Sequence, residues 1–195
     1  TRCHQLGIPA VVSHPGNYLD EREAGLRRNA RAYADAIRRA PGEVMVLLET
    51  TAGTGTSLGS RFEELAELRT LIPAELRHRI GYCADTCHLY SAGYDLVNAY
   101  DAVWEEWERL IGIEHLHCFH LNDSKTPFAS HKDRHELIAE GSLGPEPFRR
   151  IMRDPRFADV IKVLETPKGD DMVTNDRRML RRLRAYGRGG PKRVR

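Results

Sequence analysis

Short apolar runs alternate along the chain with longer stretches in which apolar residues recur at helical spacing. The apolar runs predict five strands, at residues 8–14, 44–49, 79–85, 115–120 and 160–165. The helical spacing predicts five helices, at residues 21–40, 62–71, 96–111, 147–152 and 173–184. Regular alternation of strand and helix is typical of a parallel α/β sheet or barrel.

The number of predicted strands fits part of a β/α barrel. A closed (β/α)8 barrel needs eight strands and typically about 250 residues, whereas this chain has 195 residues and five predicted strands. We therefore predict an α/β fold of the TIM (β/α)8 type, present as about the last five β/α units in one domain over residues 1–186. Since the chain opens Thr1-Arg2-Cys3-His4, we expect further N-terminal strands to lie outside it. Residues 187–195, rich in Gly, Arg and Lys, are predicted to form a flexible basic tail.

An ionisable residue closes each predicted strand. These five residues are His14, Glu49, Asp85, His120 and Glu165. In parallel β/α folds the carboxyl ends of the strands meet at the active face, and alternation along the strands predicts that all five side chains share one face. The same alternation predicts that Leu116 and Cys118 lie on that face with His120, whereas His117 points away.

Three further candidates follow in the loops: His88, Asp133 and His135. Asp133 and His135 alternate in an extended segment, which would point both at one ion. Imidazole and carboxylate groups without a required thiolate suit Zn²⁺ or Mn²⁺ in a catalytic site. Eight candidates exceed what one tetrahedral ion can use, so a cluster of ions is implied, which is a common device for phosphate ester hydrolysis. Taken singly, each residue is more often a helix N-cap or part of a salt bridge.

Other features of the sequence narrow the function less. The glycine-rich segment 53–59 lacks the Gly-Lys-Ser/Thr ending of a phosphate-binding P-loop. The four cysteines are interpreted as free thiols in a reducing compartment. No stretch approaches the roughly 20 apolar residues of a membrane span, so we expect no membrane partner and a cytoplasmic protein. The net charge of +2 names no partner, and the arginine-rich C-terminus fits either a nucleic-acid contact or a solvated helix face.

Six motifs taken together resemble endonuclease IV, the zinc-dependent apurinic/apyrimidinic endonuclease family on a xylose isomerase-like barrel. The resemblance covers nearly the whole chain up to the last helix. The motifs, in the order of the family, are His14-Pro-Gly, Glu49-Thr-Thr-Ala-Gly, Cys83-Ala-Asp-Thr-Cys-His88, Phe119-His-Leu-Asn-Asp-Ser-Lys125, Asp133-Arg-His135 with Glu140-Gly141, and Leu164-Glu-Thr-Pro167. This sequence departs from the family at Thr50, Thr54 and Ala139, where Asn, Gln and Gly are usual.

The resemblance implies a centre of three zinc ions, for which Mn²⁺ is a possible substitute. Glu49 would bridge two ions, and His14 would serve the first, whose other histidine is expected on an earlier strand outside this chain. The second ion would be completed by Asp85, His120 and Glu165, and the third would be held by His88, Asp133 and His135. Glu49, Asp85 and Glu165 are the expected catalytic residues.

The implied activity is hydrolysis of the phosphodiester 5′ to an abasic site, which leaves a 3′-hydroxyl and a 5′-deoxyribose phosphate. The implied partner is double-stranded DNA carrying an abasic site, so the protein would associate with the nucleoid if it is bacterial. The family favours a monomer. Lys125 and Arg134, which neighbour candidate ligands, are expected to contact phosphates, because Arg offers a planar fork to phosphate oxygens. Two alternatives remain open from the sequence: a sugar isomerase or epimerase on the same barrel, and a fragment that binds zinc or DNA without turnover.

Overall fold

The computed structural model describes residues 1–188 as a curled parallel sheet with helices on its outer side. The sheet contains β1 (Ala10–Ser13), β2 (Met45–Glu49), β3 (Ile80–Asp85), β4 (Leu116–His120) and β7 (Ile161–Val163), while two short strands between β4 and β7 pair separately. The five strands pair in this order, and every pair is parallel. This arrangement confirms the predicted partial β/α barrel. Most of the predicted basic tail, residues 189–195, lies outside the described residues.

Seven α-helices connect or flank these strands in the described part of the chain. They are α1 (Arg2–Gln5), α2 (Arg22–Arg39), α3 (Phe62–Leu71), α4 (Thr86–Ala92), α5 (Tyr100–Leu110), α6 (Glu146–Arg153) and α7 (Thr174–Tyr186). The sequence pattern missed α4, which begins directly after Asp85 and ends at Gly93 in the left-handed region. Helix α5 begins at Tyr100, four residues after the start that the sequence predicts. The intervening residues form a turn, in which the Asp95 carboxylate accepts hydrogen bonds from the backbone N–H groups of Val97 and Asn98.

Two short antiparallel strands lie in the segment that the sequence predicts to be a loop. They are β5 (Asp123–Ser124) and β6 (His135–Glu136), with Ser124 opposite His135. The pairing continues outwards, since the Lys125 N–H donates to the Arg134 carbonyl at 2.9 Å. This hairpin fixes the position of His135 at the carboxyl edge of the sheet.

The main core lies between the sheet and the helices. Trp104 and Trp107 on α5 are fully buried, and the Trp104 ring packs edge-to-face against Phe119 of β4 at 5.4 Å between centroids. Helices α2 and α3 add Leu26, Phe62 and other residues to the same core. Burial of these large side chains anchors the helices to the outer face of the sheet and so holds the ends of the strands in fixed positions.

The inner face of the sheet carries a second, smaller cluster of Leu47, Cys83 and Cys118. A bulge between Tyr82 and Cys83 shifts the register with β4, so that Tyr82 pairs with Leu116 but Cys83 pairs with Cys118. The prediction for Leu116 is therefore wrong, because this residue joins the main outer core. The prediction for His117 is also wrong: its ring lies against Gly81, so that a Cβ there would come within 2.4 Å of it.

Among residues 1–188, no helix is both long and apolar enough to cross a membrane.

Candidate metal centre

The carboxyl ends of the strands bring the first group of candidate ligands together. Glu49, Asp85 and His120 are the last residues of β2, β3 and β4, and Asp85 is the register partner of His120. His120 Nδ1 lies 2.8 Å from Glu49 Oε1 and 3.1 Å from Glu165 Oε2. One ligand atom from each of Glu49, Asp85, His120 and Glu165 lies within 4.8 Å of the other three. We call these four residues the strand-end group.

A second set, which we call the loop group, consists of His88, Asp133 and His135. His88 Nε2 lies 3.1 Å from Asp133 Oδ2, and His135 Nε2 lies 3.2 Å from Asp133 Oδ1. Both Nε2 atoms are buried. Although each lies close to Asp133, neither has a hydrogen-bond partner with suitable geometry among the described residues. Two unsatisfied imidazole nitrogens that converge on one carboxylate are the arrangement expected of ligands around a cation.

The other ring nitrogen of each loop-group histidine is held by a backbone carbonyl. His88 Nδ1 donates to the Thr50 carbonyl at 2.8 Å, and His135 Nδ1 donates to the Glu165 carbonyl at 3.2 Å. Because a proton on Nδ1 leaves the lone pair on Nε2, these bonds select the tautomer that can bind a metal towards Asp133. The orientation is thus set before any ion is bound.

His14 joins the two groups. It follows the end of β1, is half exposed, and places Nε2 3.3 Å from Glu49 Oε2. Ligand atoms of His14, Glu49 and His88 also lie within 4.8 Å of one another. Glu49 therefore presents one carboxylate oxygen to His14 and the other to His120.

The electrostatics of the centre favour positive charge. Burial lowers the pKa of His88, but the carboxylates of Asp85 and Asp133 outweigh burial and raise the pKa to about 10. Burial likewise lowers the pKa of His120, but hydrogen bonds with Glu165 and Glu49 raise the pKa to about 11. A proton on each imidazole offsets the carboxylate charge in the metal-free chain, and a bound cation would take over this role.

The carboxylates of the centre are correspondingly ionised. Burial raises the pKa of Glu49, but hydrogen bonds from His120 and His14 lower it to about 2. Contact with His135 and His88 holds the pKa of Asp133 far below its usual range. A hydrogen bond from His120 also lowers the pKa of Glu165. The residues therefore fit a cluster of divalent cations with oxygen and nitrogen ligands.

Asn122 supports the strand-end group, a role that the sequence analysis did not assign. This fully buried residue donates from Nδ2 to Asp85 Oδ2 at 2.6 Å and accepts from the Glu165 N–H at 2.9 Å. Its backbone is fixed in turn by Thr86 Oγ1. Asn122 thus ties the ends of β3 and β7 to the loop after β4.

Thr50 and the capping role of Asp85 complete the support. Thr50 Oγ1 accepts from the Asp85 N–H at 2.9 Å, while Asp85 Oδ1 caps α4 by accepting from the His88 N–H at 2.9 Å. An N-cap was the ordinary alternative for a strand-end aspartate, and here one carboxylate oxygen caps the helix while the other faces the centre. Burial raises the pKa of the neighbouring Cys87 thiol to about 12, so this thiol stays neutral in the metal-free chain.

A cleft of about 280 Å³ opens beside the loop group. It is lined by His14, Asn17, Thr54, His88, Asp133 and Arg134, among others. Arg134 and Lys125 are both exposed on the hairpin of β5 and β6. The glycine-rich loop also lines this cleft. In this loop, Thr54 Oγ1 donates to the His131 carbonyl at 2.9 Å, and Ser57 forms an isolated antiparallel β-bridge with Asn17.

Comparison with known proteins bears on this geometry. A model of the xylose isomerase-like TIM-barrel family matches residues 1–183. The chain belongs to the xylose isomerase-like TIM-barrel family. Within this family it is 49% identical over 195 residues to a probable endonuclease 4 from Chloroflexus aggregans, covering 96% of this chain and 66% of that protein. It is also 49% identical over 174 residues to a probable endonuclease 4 from Geobacter sulfurreducens, covering 87% of this chain and 58% of that protein.

A solved structure of the family agrees with the fold. The crystal structure of endonuclease IV from Thermus thermophilus superimposes with a TM-score of 0.83 at 34% sequence identity. The match covers 97% of this chain and 65% of that chain. The present chain therefore spans about two thirds of the length of the Chloroflexus aggregans relative and of the Thermus thermophilus endonuclease IV.

Proposed function

We propose that this chain belongs to a zinc-dependent endonuclease that hydrolyses the phosphodiester 5′ to abasic sites in double-stranded DNA, leaving a 3′-hydroxyl and a 5′-deoxyribose phosphate. The observation that carries the proposal is that the loop group and the strand-end group are adjacent. Glu49 of the strand-end group and His88 of the loop group lie together with His14 in one further set of possible ligands. Neighbouring divalent ions are a common device for phosphate ester hydrolysis. The names of the relatives, probable endonuclease 4 and endonuclease IV, favour the same chemistry.

The ligand assignment that we propose follows the geometry of the two groups. His88, Asp133 and His135 would hold one ion, and Asp85, His120 and Glu165 would hold a second together with Glu49. Glu49 would also share an ion with His14. When bound, zinc lowers the pKa of water towards neutrality and neutralises charge on the phosphoryl oxygens.

The side chains of the chain contribute position and charge. Glu49 is 4% exposed and ionised, so one of its oxygens can orient the attacking water. Arg134 and Lys125 stand exposed beside the cleft, where they can bind the phosphates that flank the lesion. An abasic nucleotide leaves the base stack more easily than an intact one, which gives selectivity with few base contacts. The loop group also disfavours the sugar isomerase alternative, which gives no reason for a further ion beside the strand-end group.

The proposal is tested by incision of a duplex that carries one tetrahydrofuran abasic analogue, which resists lyase chemistry. The chain is assayed with zinc beside its Glu165→Gln variant and an Asp35→Asn control, whose carboxylate is exposed on α2. We expect cleavage 5′ to the analogue that is lost in Glu165→Gln and kept in the control. Incision by Glu165→Gln at the wild-type rate would refute the proposed site, and absence of incision by all three proteins would favour a fragment that binds without turnover.

A further inference from the structure

Two buried thiols lie directly beneath the metal centre, on the inner face of the sheet. Cys83 and Cys118 are register partners on β3 and β4. Each stands two residues before a member of the strand-end group, Asp85 or His120, so its side chain points to the same face. Cys83 is fully buried and Cys118 is 4% exposed. Neither thiol has a role in the proposed hydrolysis.

The two thiols converge with the His120 imidazole. Both sulfur atoms and one ring nitrogen of His120 lie within 4.8 Å of one another. The other residues of this inner cluster are apolar: Leu47 is buried, and Met45 and Val12 pack against it. Buried cysteines usually act as small hydrophobic residues, but two sulfur atoms with an imidazole nitrogen are the donor set that soft cations select over oxygen ligands.

We propose that Cys83, Cys118 and His120 form a second, sulfur-rich site that binds a thiophilic divalent cation, with Cd²⁺ as the representative ion. Binding forms two metal–sulfur bonds and one metal–nitrogen bond. It releases to solvent the two thiol protons and the extra proton that His120 carries in the metal-free chain, so the two thiolates balance the charge of the ion. The imidazole supplies a neutral third ligand. The ion can approach from the centre above, where the Glu165 side chain is 46% exposed beside His120.

This site shares His120 with the strand-end group. His120 Nδ1 faces Glu49 and Glu165 at 2.8 and 3.1 Å, so an ion held by the thiols competes for the same imidazole. A soft cation bound to the thiols would thus lower the affinity of the strand-end group for its own ion. This consequence rests on the proposed function, whereas the binding of the soft cation does not.

The test is titration of the reduced, metal-free chain with Cd²⁺, followed by thiolate-to-cadmium charge-transfer absorption in the ultraviolet. We expect the absorption to saturate at about one thiolate-bound Cd²⁺ per chain. The absorption is lost in Cys118→Ala and in Cys83→Ala and is unchanged in Cys3→Ser, whose thiol lies on the remote helix α1. This readout does not depend on incision, so failure of the soft-cation site and failure of the proposed function are distinguished.

Wild-type protein loaded with cadmium-113 provides a measurement that does not depend on the folding of a variant. We expect a nuclear magnetic resonance shift typical of coordination by two sulfur atoms. The proposal is overturned if the wild type shows no charge-transfer absorption, if the folded Cys118→Ala chain retains it, or if the cadmium resonance reports only oxygen and nitrogen ligands.

Discussion

Asn122 acts on the centre at the scale of a single side chain. Its amide donates to Asp85 Oδ2, and its carbonyl oxygen accepts from the backbone of Glu165. Groups that orient metal ligands in this way commonly contribute a factor of about 10–100 in metal affinity or activity. The residue therefore links two ligands that are 80 positions apart in the sequence, Asp85 and Glu165.

We predict that Asn122→Ala lowers the zinc affinity of the chain by about 10–100-fold, because Asp85 loses a donor and the Glu165 N–H loses its acceptor. Isothermal titration with zinc measures the change. Asn98→Ala is the matched control, since Asn98 makes the same amide-to-carboxylate bond with Asp95 at an exposed site. Equal zinc affinity of Asn122→Ala and wild type, with Asn98→Ala also unchanged, would remove Asn122 from the account.

The histidines of the centre predict a pH dependence of the metal-free chain. The folded-state pKa of His88 is raised from 6.5 to about 10, so its contribution to stability is complete below about pH 6.5 and is lost as the pH rises through about 10. We therefore expect the free energy of unfolding of the metal-free chain to fall between pH 7 and 9. Zinc replaces these protons, so its affinity should rise over the same range.

Urea unfolding of the metal-free chain at several pH values between 7 and 9 measures this effect. The matched variant is His88→Gln, which removes this ionisable group and should make the profile less steep. The slope that remains comes from groups such as His120, whose pKa is also raised. His78→Gln serves as the control, since His78 is exposed in the 3-10 helix Ala74–Arg79 and lies 3.3 Å from Glu43, away from the centre. A wild-type profile that is flat or rises with pH would contradict the assigned proton on His88.

The sequence could predict which residue types gather at the sheet edge, but not how they are held. Alternation along parallel strands is enough to bring Glu49, Asp85 and His120 to one face. The tautomers of His88 and His135 depend on the carbonyls of Thr50 and Glu165, and no side-chain pattern reports the direction of a backbone carbonyl. The role of Asn122 is hidden as well, because it depends on the position of the Asp85 carboxylate and on the direction of the Glu165 N–H.

At the scale of elements, helix α5 carries the largest side chains of the core. The Trp104 ring contacts Phe119 of β4 and Phe157, with centroid distances of 5.4 and 4.7 Å. Because His120 is the residue after Phe119, this packing also supports the end of β4. The helical spacing of Trp104 and Trp107 predicts that they pack onto the sheet, but it does not identify Phe119 or Phe157 as their partners.

We predict that Trp104→Ala lowers the free energy of unfolding by about 3–5 kcal/mol, because it leaves a large cavity between α5 and the sheet. Chemical denaturation of the metal-free protein measures the loss. Leu180→Ala on α7 is the control, since Leu180 is 39% exposed and should cost far less. A loss below about 1 kcal/mol for Trp104→Ala would show that α5 does not anchor the sheet as described.

The elements that the sequence missed share a physical cause. Helix α4 has seven residues and is buried on most sides, so it carries no amphipathic period. The hairpin of β5 and β6 has two residues in each strand, which is too short for alternation to appear. The bulge at Tyr82 and Cys83 reverses the faces of Leu116 and His117, because one extra residue on β4 shifts the period of two.

At the scale of the whole molecule, the centre depends on every part of the sheet. Its candidate ligands come from the ends of all five strands of the sheet, from helix α4, which carries His88, and from the hairpin, between His14 and Glu165. The sheet has edges at β1 and β7, and exposed apolar side chains such as Val11 and Ile161 lie there. The central claim is that this arrangement holds more than one divalent ion in separate but adjacent groups.

The zinc content of the purified, folded chain after gel filtration tests that claim most directly. Elemental analysis is applied to the wild type, to Asp133→Ala, which removes a ligand from the loop group alone, and to the control Asp35→Ala. The account predicts at least two zinc ions per wild-type chain, one for each group, with one ion fewer in Asp133→Ala and no change in Asp35→Ala. A wild-type chain that retains no zinc, or an Asp133→Ala chain that retains as much as the wild type, would contradict it.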